Sequence, residues 1–128
     1  MKIEIEILPV EKIRNSQLGD YFYKPDGTLV FHIADTGNDF FTKSILLHEL
    51  AEEMSTKQVG IKEETISDFD TFYEMKRKQG LVPEESENGF DRAAPYLHQH
   101  TAADAIERIV FAIAGVPWAD YEHCINNL

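Results

Sequence analysis

The 128-residue chain predicts an α+β fold, with a small antiparallel three-stranded sheet in the N-terminal third covered by three to four helices. Two observations predict it. Apolar and β-branched residues follow strand patterns in the first third of the chain, and from Asn38 onward they follow the 3.6-residue period of helices. No repeat, low-complexity tract or linker divides the sequence, so residues 1–128 are expected to form a single domain.

The three expected strands are residues 2–8, 20–25 and 28–34. In the first, Ile3, Ile5 and Ile7 alternate with charged residues, which is the period-two pattern of a half-buried strand. Pro25-Asp26-Gly27-Thr28 separates the second and third: proline presets φ at a turn, and glycine supplies the positive φ that follows. The last two strands are therefore expected to form a hairpin.

The four expected helices are residues 39–58, 64–79, 95–114 and 118–126. Asn38 suits the N-cap of the first helix. Thr65 and Asp68 have the spacing of a capping box for the second, and Pro95 suits the first position of the third. Residues 81–90 are predicted to be an acidic loop and the most mobile segment.

Charge and composition restrict the expected partners and location. The net charge of −11 repels phosphate backbones and anionic lipid, so neither nucleic acid nor a membrane is an expected partner, whereas a peptide or protein is. No apolar run approaches the length of a membrane helix, and the charged N-terminus is not a signal peptide. A lone Cys124 cannot form an internal disulfide, which favours the cytoplasm. Composition does not specify an oligomeric state.

The first helix carries a polar stripe. His48 and Glu52 are one turn apart, at about 40° from each other around the axis, on the side that also holds Phe41 and Ile45. A second side is expected to be the main core face; it consists of Leu47, Leu50, Ala51 and Met54. A partly buried histidine and carboxylate require partners, which are either each other or a metal ion held by both.

The third helix is unusually apolar, but His100, Asp104 and Glu107 share one stripe on it. His100 and Glu107 are about 10.5 Å apart along the axis, too far to bind one ion easily. We therefore expect His100 to be a third metal ligand, and Asp104 and Glu107 to hold the ligands in place or to serve as alternative ligands. In the other interpretation, Glu107 pairs with Arg108 or Arg92 and His100 is an ordinary core histidine.

The segment Phe31–Glu53, a strand followed by a helix bearing His-Glu-Leu-Ala-Glu, resembles the strand-plus-active-helix unit of zincin-type metallopeptidases. The resemblance implies that His48 is the first ligand and that Glu49 is the general base. The chain departs from the family pattern where Glu52 replaces the second histidine ligand, although mixtures of His and Glu also hold zinc. A wider pattern over residues 45–121 looks like uncharacterised bacterial and phage-associated proteins and implies no activity.

Two hypotheses follow. In the first, His48, Glu52 and His100 bind one divalent ion, most plausibly Zn, and Glu49 activates water to hydrolyse a peptide or other acyl bond. In the second, the chain is a non-enzymatic acidic interaction or assembly protein, and the same residues form a buried structural network. A shared site of either kind predicts that the tips of His48, Glu52 and His100 lie within about 5 Å of one another.

Overall fold

The computed structural model describes residues 1–128 and has three strands followed by four helices. The strands are β1 (Ile3–Leu8), β2 (Gly19–Tyr23) and β3 (Leu29–Ala34). The helices are α1 (Asp39–Gln58), α2 (Glu63–Lys78), α3 (Leu97–Ala114) and α4 (Trp118–Asn126). The predicted α+β class is confirmed. No helix is both long enough and apolar enough to cross a membrane.

The sheet is mixed, with the strand order β1-β3-β2. β2 and β3 form the predicted antiparallel hairpin, in which the amide of Lys24 donates to the carbonyl of Thr28 at 2.8 Å and Gly27 has a φ of 89°. β1, however, pairs with β3 in parallel, so the expectation of an entirely antiparallel sheet is wrong. Residue alternation indicates which side chains share a face, but it does not specify the direction in which a neighbouring strand runs.

The burial of β1 also differs from the expectation. Ile3, Ile5 and Ile7 are 45%, 50% and 48% exposed, although their alternation predicted a half-buried face. β1 lies at an edge of the sheet, and α1 packs on β2 and β3. The core is consequently centred on β3, where Phe31 and Ile33 are almost completely buried.

The helix termini follow the sequence in part. Asn38 caps α1 by accepting a hydrogen bond from the amide of Phe41 at 3.1 Å, as predicted. α2 begins at Glu63 without a side-chain cap, so the predicted capping box at Thr65 lies inside the helix. α3 begins at Leu97 rather than at Pro95. Both starts differ from the expected ones by one or two residues: Lys62 before α2 is still extended, and residues 95–96 form a turn that leads into α3.

α1 turns its polar stripe inward. Phe41 and Ile45 are buried with Glu52, which is 5% exposed, whereas Met54 on the expected core face is 61% exposed. The stripe faces α3, with which α1 makes its most extensive contact. The ring of Phe41 stacks on Phe111 of α3 at a centroid distance of 6.0 Å. The polar stripe therefore lies at the centre of the fold.

Candidate metal centre

His48 and Glu52 of α1 and His100 of α3 converge in the interface between the two helices. The Nε2 atom of His48 lies 3.0 Å from Nδ1 of His100 and 3.2 Å from Oε2 of Glu52. Nδ1 of His100 lies 3.1 Å from the same Oε2 atom. All candidate ligand atoms of the three residues lie within 4.8 Å of one another. The predicted convergence of the three side chains is confirmed.

These separations are compatible with three ligands of one metal ion. In a tetrahedral zinc site with ligand distances of about 2.0–2.1 Å, neighbouring ligand atoms are about 3.3 Å apart. The three edges of the observed triangle measure 3.0, 3.1 and 3.2 Å. An ion about 1 Å above the plane of such a triangle would reach all three atoms at bonding distance. Hydrogen bonds have similar lengths, so the triangle by itself also suits a proton-sharing network.

The outward nitrogen of each histidine is held by a carboxylate. Nδ1 of His48 lies 2.8 Å from Oε2 of Glu107, and Nε2 of His100 lies 3.2 Å from Oε2 of Glu87. A carboxylate can only accept, so each outward nitrogen carries a proton when it is hydrogen-bonded to Glu107 or Glu87. With those protons kept, deprotonation of the inward nitrogens would leave His48 and His100 as neutral rings with lone pairs available to an ion. Metal-binding histidines in proteins are oriented in this way.

Glu107 is the most deeply buried member of the constellation, at 3% exposure. Its Oε1 atom accepts hydrogen bonds from the hydroxyl of Ser44 at 2.6 Å and from that of Tyr121 at 3.2 Å. Together with His48 on Oε2, this carboxylate receives three donors. The structure thus places Glu107 behind His48, and it does not pair Glu107 with an arginine.

Asp104 does not join the site's hydrogen bonds, although the sequence placed it on the same stripe. Its carboxylate accepts from Nε of Arg108 at 2.9 Å, one turn further along α3. Nothing links it to His100. An exposed arginine at i+4 competes effectively for a surface carboxylate, and this partner determines where the side chain of Asp104 points.

The electrostatics of the trio favour a cation. Burial disfavours the charged form of His48, but hydrogen bonds to Glu107 and Glu52 outweigh burial and raise the pKa of His48 to about 11. Burial similarly opposes charge on His100, and bonds to Glu52 and Glu87 raise its pKa to about 9, against the repulsion of a charged His48. Burial disfavours ionised Glu52, yet the two histidines lower its pKa. Without an ion, positive charge on the rings is what balances the carboxylates.

Glu49 lies beside the trio but, unlike those three residues, makes no hydrogen bond within the protein. Burial, followed by repulsion from Glu52, raises the pKa of Glu49 well above its ordinary value. It borders a cavity of about 500 Å³ whose lining also includes His48, His100 and Trp118. A carboxyl group with a raised pKa at the wall of such a cavity has the properties of a proton acceptor or donor.

The acidic loop before α3 packs against His100. The ring of Phe90 contacts the imidazole of His100 edge-on at a centroid distance of 4.5 Å. Asn88 of the same loop donates to Oδ1 of Asp70 at 2.5 Å, and Tyr96 donates to the same oxygen. Asp70 is buried in the middle of α2 and anchors the loop.

The sequence analysis missed three residues of the constellation: Glu87, Ser44 and Tyr121. Tyr121 of α4 packs on Phe111 at a centroid distance of 5.2 Å and also donates to Glu107. Ser44 lies one turn before His48, so the periodicity of α1 could have revealed it. Glu87 is in a loop, where no period relates a residue to its partner.

Comparisons of this chain with protein-family models, with curated proteins and with solved structures give no match. The site is therefore interpreted from its own geometry.

Proposed function

We propose that the protein binds one divalent ion, Zn²⁺ in our assignment, through His48, Glu52 and His100, and that it hydrolyses peptide or other acyl bonds. One observation carries the proposal: two imidazole nitrogens and a carboxylate oxygen meet at 3.0–3.2 Å while carboxylates hold both outward nitrogens. The absence of a cysteine ligand and the mixture of imidazole and carboxylate suit zinc.

Lone-pair geometry favours an ion over a purely structural network. If His48 and His100 are neutral and donate outward to Glu107 and Glu87, three acceptors face one another and no donor lies between them. If both rings are protonated, both inward N–H groups can donate to Oε2 of Glu52, but they also face each other across 3.0 Å. A cation held by the three atoms would remove the contact between acceptors and the contact between donors. A structural network avoids both contacts only if a single proton lies between the two inward nitrogens.

The hydrolytic part of the proposal assigns the base to Glu49. A bound divalent ion supplies Lewis acidity, which polarises a carbonyl oxygen and lowers the pKa of water. Glu49 adjoins the trio without competing for its ligand atoms, and burial raises its pKa, which suits a group that accepts a proton and later returns it. The cavity of about 500 Å³ provides space for a substrate beside it. The HExxE motif, which resembles that of zincin-type metallopeptidases, supports the same roles. We propose in addition that the substrate is a peptide and that the protein acts in the cytoplasm.

The alternative is a non-enzymatic acidic interaction or assembly protein with a structural His/Glu network. One observation favours it: every ring nitrogen of His48 and His100 already has a carboxylate or imidazole partner in the protein. The two functions differ in their response to metal. An ion that binds only the folded state at a hundred times its dissociation constant stabilises it by about 2.7 kcal/mol, whereas a proton network does not respond.

The decisive experiment is elemental analysis and thermal melting of protein purified without chelator or His-tag. We expect about one zinc per chain, a melting temperature lowered by EDTA, and its recovery on addition of Zn²⁺. His48→Ala and His100→Ala should abolish these responses. His98→Ala is the matched control, because His98 is an exposed histidine on the same helix as His100. A wild-type melting temperature indifferent to both chelator and zinc would overturn the metal centre and the hydrolase together.

Glu49→Gln tests the enzymatic role separately. The substitution should leave zinc binding within about threefold of the wild-type value and remove hydrolysis of a peptide library, because Glu49 is outside the ligand triangle. Loss of zinc binding in this variant would instead make Glu49 a ligand. Unchanged hydrolysis would exclude it as the base.

A further inference from the structure

Two glycines of this chain occupy positions where backbone conformation does not require glycine. Five others, among them Gly27 and Gly60, have positive φ, where glycine is favoured. Gly19 and Gly89 do not. Gly19 lies in β2, and glycine inside a strand weakens it unless another group approaches the backbone closely. Gly89 is buried in the short 3-10 turn Asn88–Phe90.

Both glycines face a residue of the candidate site. A Cβ atom added to Gly19 would lie 2.5 Å from Cγ and 2.7 Å from Oε1 of Glu49. A Cβ atom added to Gly89 would lie 2.5 Å from Nδ1 of His100 and even closer to its Cγ atom. All these distances are shorter than real Cβ contacts, so any other amino acid at either position would displace the opposing side chain or the backbone.

We propose that Gly19 and Gly89 are positioning residues. The bare backbone at Gly19 forms the surface against which the carboxylate of Glu49 rests, and that at Gly89 forms the surface on which the imidazole of His100 lies. The two glycines thereby fix the base and the third ligand of the site. The roles given to Glu49 and His100 rest on the proposed function, but the packing relation does not.

The two contacts differ in how freely the opposing side chain can yield. Glu49 makes no hydrogen bond and borders the cavity, so it can swing into that space. His100 is confined, because Phe90 packs on its ring at 4.5 Å and Glu87 holds its outward nitrogen. Gly19→Ala should therefore move the base while the ligands stay in place. Gly89→Ala should displace a ligand or force the loop away from it.

Double-mutant cycles on the metal-free protein test the packing relation. In the wild-type background, Gly89→Ala should raise the equilibrium constant for unfolding at least about tenfold in urea melts. In a His100→Ala background, the same substitution should raise it less than about threefold. Gly19→Ala should raise the constant by a smaller factor, because Glu49 can move aside, and this increase should disappear in a Glu49→Ala background, where an alanine in a strand is tolerated or favoured. An equal change in both backgrounds overturns the assignment at that glycine.

Zn²⁺ and Co²⁺ titrations test positioning with a readout that a general packing defect would not change. Gly89→Ala should weaken Zn²⁺ binding at least about tenfold and alter the visible spectrum of bound Co²⁺, which reports ligand geometry. Gly19→Ala should leave Zn²⁺ affinity within about threefold of the wild-type value and the Co²⁺ spectrum unchanged. It should lower kcat rather than raise KM. Wild-type spectra and affinity in Gly89→Ala would contradict the proposal. If the wild-type protein binds no metal, the proposed function fails, and the urea cycles still decide whether the glycines seat Glu49 and His100.

Discussion

Removal of the Glu107 carboxylate should destabilise the fold more than the loss of any other acid on α3. In Glu107→Ala, three donors lose their acceptor at once: Nδ1 of His48 at 2.8 Å and the hydroxyls of Ser44 and Tyr121 at 2.6 and 3.2 Å. Ser44 and Tyr121 are 6% and 4% exposed, so water cannot easily replace the lost acceptor.

The expected cost is about 3–5 kcal/mol, which is typical of removing one partner of a buried charged pair. The costs of the three orphaned donors do not add, because the hydroxyls can rotate toward other acceptors. For a chain of this length the loss corresponds to a fall of about 10–20 °C in melting temperature. Glu107→Gln keeps an acceptor for His48 but removes the charge, so it should cost less than Glu107→Ala and weaken zinc binding by about 10- to 100-fold.

Thermal and urea melts of metal-free protein measure this effect, and Asp104→Ala is the matched control. Asp104 is on the same helix, and its ion pair with Arg108 is exposed, at 22% and 54% for the two side chains. Its removal should cost about 0–1 kcal/mol. If Glu107→Ala and Asp104→Ala melt alike, Glu107 does not hold the α1–α3 interface, and the argument from its three donors is refuted.

Three further predictions concern pH and burial. Zn²⁺ affinity should rise by about 10- to 100-fold per pH unit between pH 6 and 8. The pKa values of about 11 for His48 and about 9 for His100 mean that an incoming ion must displace their protons. A pH-independent affinity in competition titrations would contradict this. Burial raises the pKa of Asp70 to about 6 from 3.8, so its ionisation costs stability as pH rises from about 4 through 6. Urea melts should show that Asp70→Asn removes about 2–3 kcal/mol of this decline, and an unchanged pH profile would refute the assignment. Tyr23→Phe should lower the free energy of unfolding by about 1–2 kcal/mol in urea melts. The reason is that the hydroxyl of Tyr23 donates at 2.6 Å to Glu53, which is only 6% exposed. A loss under about 0.3 kcal/mol would indicate that water replaces the hydroxyl as donor.

The sequence predicts the local features of this fold well. The hairpin turn at Gly27, the cap at Asn38 and the extent of α1 and α4 all depend on residues adjacent in the chain, and all are confirmed. The parallel pairing of β1 with β3 was not predicted, because it depends on how the chain crosses between them. The inward side of α1 was misassigned for a related reason: Met54 is more apolar than His48, but partners on α3 determine which side is buried.

In the candidate site, too, the features set by local sequence could be predicted and those set by long-range contacts could not. Helical spacing places His48 with Glu52, and the apolar character of α3 indicates that His100 and Glu107 are not on an open surface, so four members could be proposed from sequence. Glu87 could not, because its contact with His100 depends on the path of a loop. The burial of Glu53 could not be predicted either, because its partner, the hydroxyl of Tyr23, lies on β2.

The parallel pairing of β1 with β3 has a consequence for the order of folding. β2 and β3 are joined by a tight turn and can pair early, whereas β1 reaches β3 only after the segment between Leu8 and Leu29 has closed as a loop. β1 also contributes little buried side-chain area, since Ile5 is 50% exposed. We expect β1 to dock after the main barrier, so Ile5→Ala should accelerate unfolding and leave the folding rate almost unchanged, whereas Phe31→Leu in β3 should slow folding. We therefore expect the first of the three strands in chain order to be the last to join the sheet.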